Sequence, residues 1–280
     1  MGGVVFDFNG TMFFDEEFQN ISWRSFLEEK TGKTVTDEEF QEFVHGRNNQ
    51  FTLAHFISPD LTAEEMEKLA EEKEQKYRNL CLESSCFRLE EGLPEFLDQL
   101  KKQGIPMTIA TASGEKNVRF FFEHLGLDRW FSLEQVALND GTMKGKPEPD
   151  IYWKAAELLG IRPEECVVFE DAKSGIEAAC RAGAARVIGV ESMQDRETLL
   201  AWGASHTIKD YRDLDRLLKL TEIWRDRDIG WDKRKRCRTG NGADCSAGRK
   251  GPQDHLRGMI LRPVFCLNYL VFVHFPLGFT

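Results

Sequence analysis

Short apolar runs and amphipathic segments alternate along residues 92–220. The apolar runs have the length and the β-branched content of strands, and they lie at 105–111, 136–138, 166–169, 186–190 and 207–208. The segments between them repeat apolar residues every three or four positions, which predicts helices at 93–103, 115–125, 148–159, 174–181, 198–202 and 214–220. Alternating strands and helices favour a parallel, doubly wound sheet.

A further apolar run at 4–6 opens the chain and leads directly into Asp7. Its composition predicts a buried parallel strand. Asn9-Gly10 after it predicts a tight turn, because glycine tolerates the backbone angles that such a turn needs. A carboxylate at the carboxyl end of a buried strand lies where open α/β sheets bind their ligands. Taken alone, the segment also fits a strand with an ordinary Asn-Gly turn.

The pattern after this first strand is helical for about seventy residues. Thr36 and Thr62 each stand three residues before a glutamate, the capping-box arrangement that begins a helix. The acids at 15–17 suit the first turn of an earlier helix, where the helix dipole favours negative charge. The predicted domains are an inserted helical cap over 15–85 and an α/β core over 1–14 and 86–220.

The alternation stops at about residue 221. Residues 224–254 are rich in Arg, Lys, Gly and Asp without an apolar period, which predicts disorder, and 259–280 are strongly apolar. Three interpretations of the tail at 221–280 stay open: a non-native extension or mis-joined reading frame, a disordered tail with an apolar end, and a membrane contact. Arg262 and Pro263 argue against the membrane contact, because such residues are costly in a spanning helix.

The net charge of −10 argues against nucleic acid as a partner. Residues 221–280 hold 11 basic and 6 acidic residues, a net charge of +5, whereas 1–220 hold 26 and 41, a net charge of −15. The seven cysteines form no Cys-x-x-Cys pair, so neither a disulfide framework nor a zinc site is predicted. No signal peptide is recognisable at the amino terminus, and a reducing cytoplasm is the expected location.

Polar side chains follow several of the predicted strands. Thr111 ends one strand and is followed by Ala112 at the start of a helix, where a hydroxyl and backbone N–H groups suit a phosphate. Lys146 lies in a loop stiffened by two prolines, and Glu170-Asp171 close another strand. Taken singly, the threonine also fits a helix cap, the lysine a solvated side chain and the acidic pair a second cap. Together with the carboxylate of the first strand, they predict a site for Mg²⁺-assisted phosphoryl transfer.

These motifs resemble those of the haloacid dehalogenase (HAD) superfamily, in the β-phosphoglucomutase-like subgroup that carries a helical C1 cap after the first motif. The resemblance covers residues 3–220, and its four motifs lie at 4–11, 109–113, 144–152 and 167–183. It implies an α/β fold in which a HAD-like Rossmannoid, doubly wound parallel sheet forms the core and the helical cap is inserted into it.

The resemblance also implies roles for the residues of the site. Asp7 would be the nucleophile that becomes an aspartyl phosphate, and the phosphoryl oxygens would be bound at Thr111, Ala112 and Lys146. The implied metal-binding groups for Mg²⁺ are the Asp7 carboxylate, the backbone carbonyl of Asn9 and the Asp171 carboxylate, with Glu170 holding a metal-bound water.

Two positions depart from the family pattern. The family has a second aspartate where this chain has Asn9, and that aspartate protonates the leaving group and later activates water. An amide does neither at neutral pH, so acid–base catalysis is in doubt and good leaving groups such as acyl phosphates would suffer least. Ala172 stands where this motif often has serine, which removes one hydroxyl near the site.

The segment around His45 and Arg47 lies between two predicted cap helices and resembles the loop that reaches the active site in this subgroup. Arg47 would clamp a phosphate or carboxylate bidentately, although the segment also fits an exposed turn. We expect a monomeric, cytoplasmic, Mg²⁺-dependent phosphatase that acts on a small phosphorylated metabolite such as a sugar phosphate. A β-phosphoglucomutase-like mutase stays open, as does a phosphometabolite-binding module whose turnover Asn9 impairs.

Overall fold

The computed structural model describes residues 2–44, 49–138 and 142–222, and of Gln41 only the backbone. At its centre lies a six-stranded parallel sheet. The strands, in chain order, are β1 (Gly3–Phe6), β2 (Met107–Thr111), β3 (Ala137–Leu138), β4 (Cys166–Glu170), β5 (Arg186–Val190) and β6 (His206–Ile208). Their order across the sheet is β3-β2-β1-β4-β5-β6.

Strand β1 lies in the middle of the sheet, and the strand order reverses beside it. Phe6 of β1 pairs with Ile109 of β2 on one side and with Phe169 of β4 on the other. The carboxyl ends of these three strands are therefore nearly level. Open α/β sheets bind ligands at such a reversal point, at the carboxyl ends of the strands.

Four helices between β1 and β2 form a helical cap: α1 (Glu16–Thr31), α2 (Asp37–Phe43), α3 (Asn49–Phe56) and α4 (Ala63–Glu83). Some of their buried side chains, among them Trp23, Phe26 and Leu53, form a hydrophobic cluster distinct from those of the sheet. Both predicted capping boxes are present: Thr36 and Thr62 each exchange two hydrogen bonds with the glutamate three residues on. The prediction of an inserted helical cap is confirmed.

Six further helices cover the two faces of the sheet: α5 (Leu93–Lys102), α6 (Glu115–Leu125), α7 (Asp150–Leu159), α8 (Lys173–Ala182), α9 (Arg196–Trp202) and α10 (Leu214–Thr221). Side chains alternate between the faces along β1, as the strand period of two requires. Val4 and Phe6 pack in an aromatic-rich core with α5, α6 and α10, whereas Val5 packs in an alanine-rich core with α7, α8 and α9. Helices on both faces confirm the doubly wound sheet.

The predicted elements of the α/β part are confirmed with small shifts at their ends. The helix expected from residue 148 begins at Asp150, because Pro149 disfavours helical backbone at the residue before it. The strand expected from residue 105 begins at Met107, directly after Pro106, which has no N–H to donate to a neighbouring strand.

Several predictions fall on residues outside the described part of the chain. These are the tail from residue 223 onward and the cap residues His45 and Arg47. The boundaries between cap, core and tail also stay predictions. Among the helices that the structure describes, none combines the length and the apolar composition needed to cross a membrane.

Candidate active site

Three carboxylates meet where β1 and β4 end. Asp7 is the first residue after β1, Glu170 is the last residue of β4, and Asp171 follows it. The N–H of Asp7 donates to the carbonyl of Phe169 at 3.0 Å, which continues the pairing of the two strands up to the carboxylate. One carboxylate oxygen from each acid lies within 4.8 Å of the other two, and all three residues are buried.

Lys146 reaches these carboxylates from the loop before α7. Its ammonium donates to Asp7 Oδ1 and to Glu170 Oε1, both at 2.6 Å, and lies 5.3 Å from the ring centre of Tyr152. Burial by itself would lower the pKa of Lys146, but the carboxylates of Asp7 and Glu170 outweigh burial and hold that pKa well above its usual value. The lysine is therefore a fixed positive charge between two strand ends.

The cluster contains more negative than positive groups. Within it, one lysine ion-pairs with two of three buried carboxylates. Burial raises the pKa of Asp7 to about 7, against the lowering effect of Lys146. Burial, together with the charges of Glu170 and Asp7, raises the pKa of Asp171 well above its usual value. Positive charge bound beside the cluster would favour the ionised forms of Asp7 and Asp171.

The donor set fits a hard divalent cation such as Mg²⁺, which prefers carboxylate and other oxygen ligands. Glu170 already accepts hydrogen bonds from three protein groups: the Lys146 ammonium, the Tyr152 hydroxyl and the Ala172 N–H. The carboxylates of Asp7 and Asp171 are therefore the better candidates for direct ligands. Glu170 is better suited to orient Lys146 or a metal-bound water.

Two glycines let these carboxylates lie close to the backbone. A Cβ at Gly10, where φ is 77°, would lie 2.1 Å from Asp171 Oδ2. A Cβ at Gly175 would lie 1.5 Å from Glu170 Oε1. Both distances are far shorter than van der Waals contact, so any side chain at either position would displace a carboxylate. The glycine predicted for the turn after β1 is thus also required by the site.

Thr111 ends β2, which pairs with β1, so it lies at the same edge of the sheet as Asp7. Its Oγ1 accepts the N–H of Ser113 at 3.1 Å, and Ala112 between them is exposed. Helix α6 begins at Glu115, directly after Gly114, which has no side chain to cap the first turn. A hydroxyl beside the N–H groups of a helix start suits phosphoryl oxygens.

The amide of Asn9 is fixed at both ends. Its Nδ2 donates to Asp15 Oδ2 at 2.7 Å and to the Tyr77 hydroxyl at 3.2 Å, and its Oδ1 accepts the Ser113 hydroxyl at 2.7 Å. Asn9 thereby connects the end of β1 with cap helix α4 and with the loop after β2. The sequence analysis assigned no role to Tyr77 or Ser113. Tyr77 could have been singled out because it is a lone tyrosine on a strongly charged helix.

Of the three acids predicted for the first turn of a helix, Glu16 and Glu17 lie there, whereas Asp15 is the residue just before the helix. Asp15 precedes α1 and is 2% exposed, and its Oδ1 accepts the N–H of Gly10 at 3.1 Å. Its Oδ2 accepts from Asn9, from Tyr77 at 2.8 Å and from Gln19 at 3.0 Å. Burial raises the pKa of Asp15, while these side-chain hydrogen bonds lower it. Hydrogen bonds from four nearby donors therefore fix the position of the Asp15 carboxylate, and the helix dipole alone would not fix it.

The described site residues predicted from the sequence lie at the edge of the sheet formed by the ends of β1, β2 and β4, and they are Asp7, Asn9, Thr111, Ala112, Lys146, Glu170 and Asp171. Asn9 and Thr111 both contact Ser113, which joins the nucleophile segment to the predicted phosphate-binding segment. The two predicted cap residues of the site lie outside the described residues, so their distance from it stays open to test.

Comparisons with known proteins agree with this geometry. Residues 4–190 match the family model of the haloacid dehalogenase-like hydrolases. The phosphorylated carbohydrates phosphatase of Thermotoga maritima is 30% identical over 213 residues, which are 75% of this chain and 94% of that protein. The β-phosphoglucomutase of Bacillus subtilis is 28% identical over 190 residues, which are 65% of this chain and 80% of that protein.

A solved structure extends the likeness to three dimensions. The crystal structure of a HAD hydrolase of family IA, variant 3, from Entamoeba histolytica has a TM-score of 0.73 and 36% sequence identity. The match covers 80% of this chain and 99% of that one. The chain therefore belongs to the haloacid dehalogenase-like hydrolases, as an enzyme of their β-phosphoglucomutase-like subgroup.

Proposed function

We propose that this hydrolase is a Mg²⁺-dependent phosphatase that acts on a small phosphorylated metabolite, such as a sugar phosphate, through an aspartyl phosphate on Asp7. The observation that carries the proposal is the position of Lys146, 2.6 Å from both Asp7 and Glu170 within a cluster of buried carboxylates. A nucleophilic carboxylate, a fixed cation and a metal-binding acid pair are the groups that phosphoryl transfer to an enzyme requires. Relatives named as phosphatases support the reaction class.

The residues take complementary roles in this proposal. A carboxylate oxygen of Asp7 attacks phosphorus, and the bond from phosphorus to the leaving oxygen breaks. Lys146 neutralises charge on the phosphoryl group, while the Thr111 hydroxyl and the N–H groups near Ala112 hold its oxygens. Mg²⁺, held by Asp7, the Asn9 carbonyl and Asp171, would supply positive charge at the phosphoryl oxygens when bound. Water then hydrolyses the aspartyl phosphate and regenerates Asp7.

The test uses the full-length protein with p-nitrophenyl phosphate, with Mg²⁺ and after treatment with EDTA. We expect release of phosphate that depends on Mg²⁺ and that Asp7→Asn abolishes. Asp60→Asn is the matched control, because Asp60 is an exposed surface aspartate. No release by the folded wild-type protein, on this substrate or on a panel of phosphometabolites, would refute the phosphatase proposal.

A second candidate is a phosphometabolite-binding module with impaired turnover. The observation that favours it is the amide of Asn9, which cannot take part in proton transfer and is hydrogen-bonded to Asp15, Tyr77 and Ser113. Binding of a sugar phosphate without phosphate release, measured by calorimetry beside the activity assay, distinguishes this candidate from the enzyme. A phosphosugar mutase is less well supported, since moving a phosphate between two hydroxyls needs a proton donor and acceptor.

We further propose a monomer that acts in the cytoplasm without a nucleic-acid partner. The net charge of −10 supports the last point, because nucleic acid would be repelled. Light scattering coupled to gel filtration measures the mass of the full-length protein directly. A mass of twice 32.2 kDa would contradict the monomer.

A further inference from the structure

The side chain two residues beyond the proposed nucleophile cannot act as an acid. Asn9 carries an amide, which neither gives nor takes a proton at neutral pH. Its Nδ2 donates to Asp15 and Tyr77, and its Oδ1 accepts from Ser113. The amide is thus held in place by protein groups on both sides, and it has a structural role beside the nucleophile.

Asp15 contacts Asn9, but its hydrogen bonds exclude it as a replacement proton donor. The carboxylate is 2% exposed and accepts four hydrogen bonds, from Gly10, Asn9, Tyr77 and Gln19. Oδ2 accepts three of these bonds and Oδ1 accepts the N–H of Gly10, so both oxygens are turned towards protein groups. A proton on Oδ2 would displace one of its three donors, and the buried side chain offers almost no surface to a substrate.

The other described groups around the site are also occupied or lie elsewhere. The Lys146 ammonium is engaged by Asp7 and Glu170. His55 stacks on a phenylalanine of the cap at 3.7 Å, His124 packs against a phenylalanine of α6 at 4.7 Å, and His206 lies in β6. The hydroxyls of Tyr77 and Ser113 donate their protons to Asp15 and Asn9. Within residues 2–44, 49–138 and 142–222, the proton-bearing side chains hydrogen-bonded to Asp7 or Asn9 are therefore each engaged with another protein group rather than free to protonate a leaving oxygen.

We infer that the substrate carries a weakly basic leaving oxygen, as acyl, enol and aryl phosphates do, and that the leaving group departs as an anion. The inference rests on the proposed phosphatase function and narrows its substrate class: phosphates of ordinary sugar hydroxyls, which the proposed function includes, become the poorer substrates. A carboxylate oxygen of Asp7 forms a bond to phosphorus while the bond to the leaving oxygen breaks. The leaving oxygen keeps the electron pair of that bond and takes a proton from solvent afterwards.

The basicity of the leaving oxygen decides whether this step needs an acid. A carboxylate has a conjugate acid with a pKa of about 4 and a phenolate one of about 10, so both leave with little help. The alkoxide of an ordinary sugar hydroxyl is far more basic than a phenolate and closer to hydroxide, so it leaves poorly without a proton. A general acid typically contributes about 100- to 10,000-fold, and alkyl phosphates lose that factor in this site.

The test measures kcat/KM of the full-length protein for a series of substituted phenyl phosphates, for acetyl phosphate and for glycerol 3-phosphate. This parameter reports the step in which the leaving group departs. We expect kcat/KM to rise steadily as the pKa of the leaving group falls. Glycerol 3-phosphate is expected to react at least about 100-fold more slowly than phenyl phosphate, the lower end of the contribution of a general acid.

Exchanging the amide of Asn9 with the carboxylate of Asp15 makes this test more specific. The double variant Asn9→Asp with Asp15→Asn places an acid beside the nucleophile. The observed contact at 2.7 Å between the Asn9 amide and the Asp15 carboxylate is kept with the two groups exchanged. We expect the double variant to gain activity mainly on the more basic leaving groups, which flattens the dependence on pKa. Asp15→Asn alone is the matched control: it lacks the new acid, so a steep dependence stays whatever the overall rate.

Failure of the inference and failure of the proposed function give different results. A flat dependence in the wild-type protein, with glycerol 3-phosphate as good as phenyl phosphate, overturns the inference and leaves the phosphatase standing. If His45→Ala then makes the dependence steep, the acid lies in the cap segment and the inference is equally overturned. No phosphate release from any of these compounds, with folding verified by circular dichroism, refutes the proposed function itself.

Discussion

Two buried charged groupings in this molecule differ in their balance of charge. The first, the carboxylate cluster, consists of Asp7, Glu170 and Asp171 with Lys146. Three acids face one cation there, and burial raises the pKa of Asp7 to about 7. The protein keeps these like charges together although each adds to the cost of burying the others.

The second, the cap–core network, connects cap helix α4 with core helix α6, and its members are Glu71, Lys73, Glu74, Arg78 and Asn117. Asn117 donates to Glu74 at 2.7 Å and accepts from Arg78 at 2.6 Å, which joins the two helices. Arg78 also donates to Glu71 at 2.6 Å, and Lys73 donates to Glu74 at 3.1 Å. Two cations thus balance two anions.

The comparison indicates what each grouping is for. A buried charge that is paired and hydrogen-bonded within the protein needs nothing further, so the cap–core network is complete without a ligand. The carboxylate cluster is incomplete in the same sense, since in the described part of the chain Lys146 is the one cation that ion-pairs with any of its three acids. Unbalanced charge at a sheet edge is therefore the feature that separates a binding site from a structural contact in this molecule.

Replacing the nucleophile should give the largest effect. Asp7→Asn is expected to lower turnover of p-nitrophenyl phosphate at least about 1,000-fold, because the covalent step is lost. The same change removes one of three like charges, so the free energy of unfolding should stay equal or rise. Urea titration with the Asp60→Asn control measures the stability effect. A large loss of stability in Asp7→Asn would mean that the carboxylate cluster is already balanced within the protein.

Breaking the cap–core network should cost stability instead. Arg78→Met removes the hydrogen bonds from Arg78 to Glu71 and Asn117, and Arg78 is only 7% exposed. Glu71 keeps only its longer ion pair with Lys116, at 3.3 Å, among the ion pairs of the described residues. We expect the free energy of unfolding to fall by about 3 kcal/mol. This is the lower end of the range for removing one partner of a buried ion pair, and we choose it because Glu71 is partly exposed. The matched control is Arg119→Met, whose ion pair with Glu115 is exposed on the surface and should matter by about 0.5 kcal/mol or less.

A divalent cation should stabilise the carboxylate cluster alone. At a Mg²⁺ concentration about 100 times its Kd, the metal-free protein is expected to gain about 2.7 kcal/mol, which differential scanning calorimetry detects as a higher Tm. Asp171→Asn should remove most of this shift, whereas Arg78→Met should keep it at a lower starting Tm. An equal shift in wild type and Asp171→Asn would place the metal elsewhere.

The smallest expected effect comes from the start of cap helix α4, which belongs to neither charged grouping. Thr62→Ala removes a hydroxyl that accepts the Glu65 N–H at the start of α4, and we expect a loss of about 1 kcal/mol. Thr62→Ser keeps the hydroxyl and should lose much less. Turnover and the Mg²⁺ shift should be unchanged in both variants, because the capping box lies about 16 Å along the helix from Lys73, at about 1.5 Å per residue. A change in the Mg²⁺ shift would show coupling that the charge comparison does not predict.

The sequence by itself determined the elements and most of the carboxylate cluster. Hydrophobic period is a local property, so the strands, the helices and both capping boxes could be predicted within a few residues of their observed ends. Parallel strands bring their carboxyl ends to one edge, so Asp7, Thr111 and Glu170 could be expected near one another although they are far apart in the chain. The need for a glycine at position 10 could likewise be predicted, because the tight turn after β1 requires one.

Only the tertiary structure decided which polar residues of the helical segments are buried. Asp15 and Tyr77 are 62 positions apart, and Asn9 and Ser113 are 104 apart, yet each pair is hydrogen-bonded. Nothing in the local pattern marks Lys73 or the rest of the cap–core network as buried. Burial of a helical side chain depends on which element packs against it, and a local pattern carries no information about that partner. Asn9 alone suggested a preference for good leaving groups, but the contacts that engage Asp15 and Tyr77 as alternative acids could be found only in the fold.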